Sequence, residues 1–168
     1  MKKYLNFFFL FLILFPVKSL AVIEVDITRG NLNPLPIAVS PLSLDEESKK
    51  ELKRILKKDE IGSDISIVVE NNLKASGLFN PLNKDAFLQK PDIAHLKPRF
   101  EDWALIKAQA LITGKVIYKD EKIRVEFRLW DILAGKEMMA LAFTTVPSNW
   151  RRVGHIITDK VYERLTGE

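Results

Sequence analysis

The chain contains no cysteine. That excludes disulfides, thiolate metal sites and cysteine nucleophiles. It also excludes the lipid-carrying cysteine that follows the leader of a bacterial lipoprotein. Histidine is nearly as scarce, with only His95 and His155. His95 lies near Asp92, but one imidazole and one carboxylate fall short of a metal site. His155 falls beside the apolar stripe of the last predicted helix. No G-x-S-x-G, P-loop or G-x-G-x-x-G is present, so the common nucleophile and phosphate signatures are missing. The acidic pairs Asp45-Glu46, Glu101-Asp102 and Asp120-Glu121 stand in charged or turn-like contexts, where solvated carboxylates are the default. These scarcities argue against an enzyme and predict neither metal nor cofactor.

Charge of one sign is also lacking. The formal net charge is +4, but Lys2, Lys3 and Lys18 supply three of it, and the first 21 residues carry no acid. The remainder is close to neutral, which is poor support for nucleic-acid binding through Lys49–Lys58 or Arg151-Arg152. No apolar run is long enough to span a bilayer. The longest, Tyr4 to Val17, has about 14 residues, against roughly 20 for a membrane helix.

That run, behind Lys2 and Lys3 and ahead of Ser19-Leu20-Ala21, has the layout of a secretory leader. Cleavage after Ala21 is expected, making residues 1–21 a signal peptide and Val22 the mature N-terminus; the alternative is an uncleaved anchor. An exported protein without stable membrane insertion follows. Directly afterwards Ile23, Val25 and Ile27 alternate with Glu24, Asp26 and Thr28, the pattern of a half-buried strand.

Pro36–Ser40 reads as a second short strand. Leu44–Glu60 is mostly charged, with a thin stripe of Leu44, Leu52, Ile55 and Leu56; it reads as a marginal, solvated helix in a surface insertion. A helix is predicted from Ser63, as N-cap, to a C′ glycine at Gly77, with Ile65, Val69 and Leu73 on one face. Phe79–Leu82 reads as extended chain and turn. Short helical turns are expected over Asp85–Pro98, broken by Pro91 and Pro98, and helix resumes over Phe100–Lys107. Ala108–Tyr118, Ile123–Trp130 and Glu137–Val146 form a three-stranded meander with tight turns at 119–122 and 131–135. Pro147-Ser148 stops the last strand and caps a helix whose stripe is Trp150, Val153, Ile157, Val161 and Leu165, ended by Gly167. The expected fold is α/β of the α+β kind, with a mixed sheet of about five strands and two to three helices packed on one face.

Several segments resemble the N-terminal domain of the TolB proteins, periplasmic components of the Tol–Pal envelope system. Ile23-Glu24-Val25-Asp26-Ile27 is similar to the family's mature N-terminus, and Pro36-Ile37-Ala38-Val39 to its second strand. Leu73–Leu82 follows the pattern L-x-x-S-G-x-F-x-P-L. Ala110–Val116 resembles a V-x-G-x-V strand. Arg152–Gly167 carries G-H-x-x-x-D-x-V-Y-E-x-L-T-G, which closes the domain in that family. The likeness runs in order over residues 22–168, with Leu44–Asp59 as a stretch without a recognised counterpart.

The resemblance implies a periplasmic, non-enzymatic domain that supports outer-membrane integrity and envelope constriction at cell division through protein contacts. It implies a partner-binding segment at Val22, Ile23, Glu24, Val25, Asp26, Ile27 and Thr28, which docks on TolA. Full TolB proteins continue into a six-bladed β-propeller that carries the contact with Pal. This chain stops at Glu168, so no direct Pal contact is expected of it. The alternating strand leaves a second reading open: a free-standing structural domain of the envelope in which Ile23–Thr28 is a permanent sheet member.

Overall fold

The computed structural model describes residues 33–167. The predicted leader, residues 1–21, and the predicted strand Ile23–Thr28 lie outside them.

Alternation builds the centre. In β5, Lys122–Asp131, Ile123, Val125, Phe127 and Leu129 are all buried, while Arg124, Glu126 and Arg128 face the other way. β5 pairs antiparallel with β4, Ala110–Lys119, and with β6, Lys136–Thr145. The β4–β5 link is a two-residue hairpin. Asp120 and Glu121 have φ of 51° and 58°, the left-handed pair that matches the twist of the flanking strands. The meander is thus as the sequence predicts.

On its other side β4 is paired in parallel by two short strands in turn. β1, Leu35–Val39, meets Ala110–Ile112, and β2, Ser43–Leu44, meets Lys115 and Val116. From Val39 to Ser43 the chain takes four steps while β4 takes three, so Pro41 and Leu42 bulge out of line. A further strand, β3, Phe79–Pro81, pairs parallel with β1. The mixed sheet has six strands, in the order β3-β1-β4-β5-β6 with β2 beside β4. β2 and β3 were not among the strands expected. Both are too short to show a period.

Leu42 sits where the bulge meets the nearest helix, and it is 4% exposed. Two glycines leave room for it. A Cβ at Gly114 of β4 would collide with the Glu126 carbonyl and press on Leu42; one at Gly62 would collide with the Leu42 carbonyl. Gly62 belongs to α2, Ile61–Ala75, whose first turn packs close enough for Leu42 N–H to donate to Gly62 O at 3.2 Å. The helix therefore starts two residues before Ser63, with Glu60 at the N-cap position and no side-chain cap. Ser63 lies inside the helix, where its carbonyl accepts from Ser66 Oγ. Gly77, with φ of 74°, ends it as expected.

α1, Glu46–Leu56, is more firmly held than its charge suggests. Asp45 caps it, accepting from Ser48 N–H at 2.7 Å, and Lys57 closes it in the left-handed conformation. Glu46 and Glu47 in the first turn and Lys53 and Arg54 in the last suit the helix dipole. Most of its surface is solvated, but Leu52 is buried, and Ser48 Oγ accepts the Tyr118 N–H of β4 at 2.8 Å. α5, Trp150–Thr166, buries Val153, Ile157, Val161 and Leu165 of the predicted stripe, packs Trp150 partly against the core, and ends at Gly167. A single 3-10 turn, Pro147–Asn149, leads into it. Ser148 does not cap α5, because that turn carries the chain straight into helix with no side-chain cap.

α1, α2 and α5 pack on one sheet face over the main core. The opposite face holds a smaller cluster, in which Ala38, Leu111 and Ile132 meet Ala94 and Trp103. These last two come from α3, Pro91–Ala94, and α4, Phe100–Leu105. Within the excursion carrying both, one side chain makes three ties. Gln89 is 4% exposed; its Nε2 donates to Lys97 O, and its Oε1 accepts from Arg99 N and Trp103 Nε1.

Two substitutions separate steric from conformational demand. Gly114→Ala should cost about 2–3 kcal/mol by overpacking the sheet centre. Gly77→Ala meets nothing within 4 Å and should cost about 1 kcal/mol through its positive φ alone. Urea denaturation of the two variants beside the parent chain measures both values.

Candidate interaction surfaces

The predicted partner-binding residues, Val22 to Thr28, lie outside the described residues. What the structure supplies is the set of surfaces on the domain that could meet a partner. Among the described residues the sheet runs out at β3 on one side and β6 on the other, and the two-residue β2 is paired to β4 alone. β3 is a poor template: it is three residues long and ends at Pro81, which has no N–H to offer. β6 is ten residues long and is paired on one side, to β5. Its Leu141 is 37% exposed, less covered than the buried core face predicted for Met139, Leu141 and Phe143. Met139 and Phe143 pack partly against the main core, and so does Met138, because a register shift opposite Leu129 and Trp130 breaks the alternation there.

Beside β6, on the face away from the long helices, lies a strip of ion pairs. Arg124 Nε is 2.8 Å from Glu126 Oε1, and Lys115 Nζ is 3.4 Å from Glu126 Oε2. Arg128 Nε is 3.0 Å from Glu137, and Arg128 Nη1 donates to His95 O. The hydrogen bond from Arg124 holds the Glu126 carboxyl below its ordinary value, with Lys115 adding to it against a smaller effect of burial. Glu70 moves the other way. Burial pushes its carboxyl up, and the ion pair with Lys84 offsets this only in part.

His95 Nδ1 lies 3.2 Å from both Ser43 Oγ and the Pro91 carbonyl. A carbonyl only accepts, so Nδ1 carries the proton in that bond. Ser43 Oγ in turn donates to Gly114 O. His95 therefore cannot take a proton from Ser43 in this arrangement, and the pair is structural. His155 is exposed on α5, with Nδ1 2.8 Å from Asn72 Nδ2. Trp150 packs partly against the core, and Lys58 and Arg151 each stand 4.9 Å from its ring centroid. Arg151 and Arg152 are solvated, so this cluster reads as a cap on the core. Among the described residues, no group of three or more His, Cys, Asp or Glu could hold a metal ion, and no helix is long and apolar enough to cross a membrane.

Two surface features escaped the sequence reading. One is the outer edge of β6, unpaired among the described residues, whose signal is the uncharged run MMALAFTTV in the outermost strand of a meander. The other is an apolar rim on the Gln89 excursion and the turn beside it, where Leu88, Leu96, Leu105 and Leu133 are 60–74% exposed. That rim had no periodic signal.

Residues 23–138 match the TolB amino-terminal domain family. The chain is 76% identical to the Tol-Pal system protein TolB of Pelagibacter ubique (strain HTCC1062) over 164 residues, 98% of its own length. It spans 37% of the length of that relative. It also superposes on the crystal structure of TolB from Acinetobacter baumannii with a TM-score of 0.61 at 19% identity, covering 87% of this chain and 32% of that one. This second likeness is one of fold.

The opposed carboxyl shifts predict opposed pH effects. Glu126, lowered in the folded state, adds stability above its ordinary value of 4.5, and this is lost as pH falls through the lower folded value. Glu126→Gln should flatten that part of the acid limb, at a cost under about 1 kcal/mol near neutral pH. Glu70, raised in the folded state, should oppose folding as pH rises through its folded value, so Glu70→Gln should change the profile in the other sense. Urea midpoints across the acid range test both signs.

Proposed function

The chain belongs to the TolB amino-terminal domain family, and from that premise we propose that it is a periplasmic protein-interaction module of the Tol–Pal system. The 76% identity to a Tol-Pal system TolB across nearly the whole chain is the observation that carries this reading. In it the domain acts through contacts and not catalysis, and it supports outer-membrane integrity and envelope constriction during division. The leader at residues 1–21 is the export signal. Val22–Thr28 is the docking segment for TolA, with Ile23, Val25 and Ile27 spaced to line one side of an added strand and Glu24 and Asp26 on the other. No contact with Pal is assigned to this domain.

The segment would precede Asn33 and Pro34, where the chain enters β1. The described core is built from residues after Asn33, which supports treating the segment as separable. Deleting Val22–Thr28 should abolish binding to the C-terminal domain of TolA and leave the circular dichroism spectrum and urea midpoint unchanged. Unchanged affinity after the deletion would refute the docking role. A lowered urea midpoint would favour the other reading, in which the segment is a permanent strand of the domain's own sheet.

A further inference from the structure

β6 ends the sheet, and no described strand pairs with its outer side. Proteins usually guard such an edge with charge, proline or a bulge. Here the bulge sits at the start of the strand, opposite Leu129 and Trp130, and the proline, Pro147, lies beyond its end. Between them Met138–Val146 carries neither charge nor proline. An edge of this length that no described strand covers is a template for strand addition.

A hollow flanks the edge on each face. On the helix side, about 340 Å³ lies between Phe143, Thr145, Asn149, Arg152, Val153 and Ile156. On the opposite side, about 220 Å³ lies between Arg124, Glu126, Arg128, Ala140 and Ala142. Successive side chains of an added strand alternate between faces, so one set would reach the first hollow and the next set the second. Their chemistry differs. Phe143, Val153 and Ile156 make the first one apolar. The second has a floor of alanine methyls directly opposite Arg128 and Glu126 in the β5–β6 register. Its cluster holds three cations, Lys115, Arg124 and Arg128, against two carboxylates, Glu126 and Glu137, and the Arg124 and Arg128 side chains are 53% and 38% exposed. That excess favours an anion.

We propose that the outer edge of β6 accepts an extended segment of a partner protein as a further strand, with apolar side chains directed toward α5 alternating with acidic ones directed toward Arg124 and Arg128. Backbone pairing supplies the affinity and the two hollows supply the selection. This is an acceptor surface, independent of the donor role of Val22–Thr28.

The test uses the full chain and two synthetic probes, one peptide alternating valine with glutamate and one alternating valine with lysine. Titration of the glutamate peptide should shift the amide signals of Ala140–Thr144 saturably. The lysine peptide should bind at least about tenfold more weakly. Ala140→Glu sets a carboxylate opposite Arg128 at an exposed position and should weaken the glutamate peptide by at least about tenfold. Arg124→Gln should weaken it severalfold, and gives a second reading should the first variant misfold. Equal affinity for the two peptides, unchanged binding by both variants, or shifts confined to Phe79–Pro81 overturn the proposal. So does protection of the β6 amides in the peptide-free chain that disappears on deleting Val22–Thr28, which would make this chain's own segment the occupant. Protection that disappears on dilution overturns it equally, in favour of a second copy.

Discussion

The contact on which the rest of the domain is arranged is the seat of Leu42 between two glycines. β4 joins the antiparallel meander to the parallel strands, and its parallel side is served by a chain that must step out of line at Pro41. Wherever a strand bulges, a side chain and a carbonyl are thrown toward the neighbouring layer. Gly114 makes room in the sheet and Gly62 makes room in the helix above it. Because both positions lack a Cβ, α2 can approach β2 closely enough to bond its first turn to the bulge. The main core then closes between α2, α5 and the sheet. A bulky residue at either glycine would move a whole layer.

Much of this was legible in the sequence where a period is long enough to count. β5 alternates without error over its length, and α5 keeps its stripe from Trp150 to Leu165, so their buried faces could be read directly. Gly77 and Gly167 mark helix ends because only a left-handed terminus asks for glycine there. What escaped has a common cause: it depends on a partner distant in sequence. β2 and β3 are strands because β4 and β1 lie beside them, and two or three residues carry no period. α2 begins early because Leu42 approaches Gly62, which no local capping preference reports. α1 looked marginal because its charges are local and visible, whereas its anchor, Ser48 to Tyr118, spans 70 residues.

The interaction surfaces divide in the same way. The proposed docking segment carries a sequence signal, since alternating apolar and acidic residues directly after a predicted leader stand out. The β6 edge carries almost none, because a strand that accepts a partner is distinguished by what its neighbours leave uncovered. Read together, the proposed donor segment and the proposed acceptor edge would give one small domain two separate uses of the same chemistry. Each would rely on backbone hydrogen bonds for attachment and on the two faces of the added strand for discrimination.

Gln89 has a consequence of its own. Within the excursion over the second sheet face, Lys97, Arg99 and Trp103 are drawn together by a neutral amide and not by an ion pair. Coulombic links such as that between Arg99 and Asp102 weaken as salt screens them or as acid discharges the carboxylate. A buried amide that donates once and accepts twice answers to neither. The internal tie of the loop carrying Leu88 and Leu96 should therefore persist from fresh to briny and from neutral to sour surroundings, beside a charged strip that shifts with its medium.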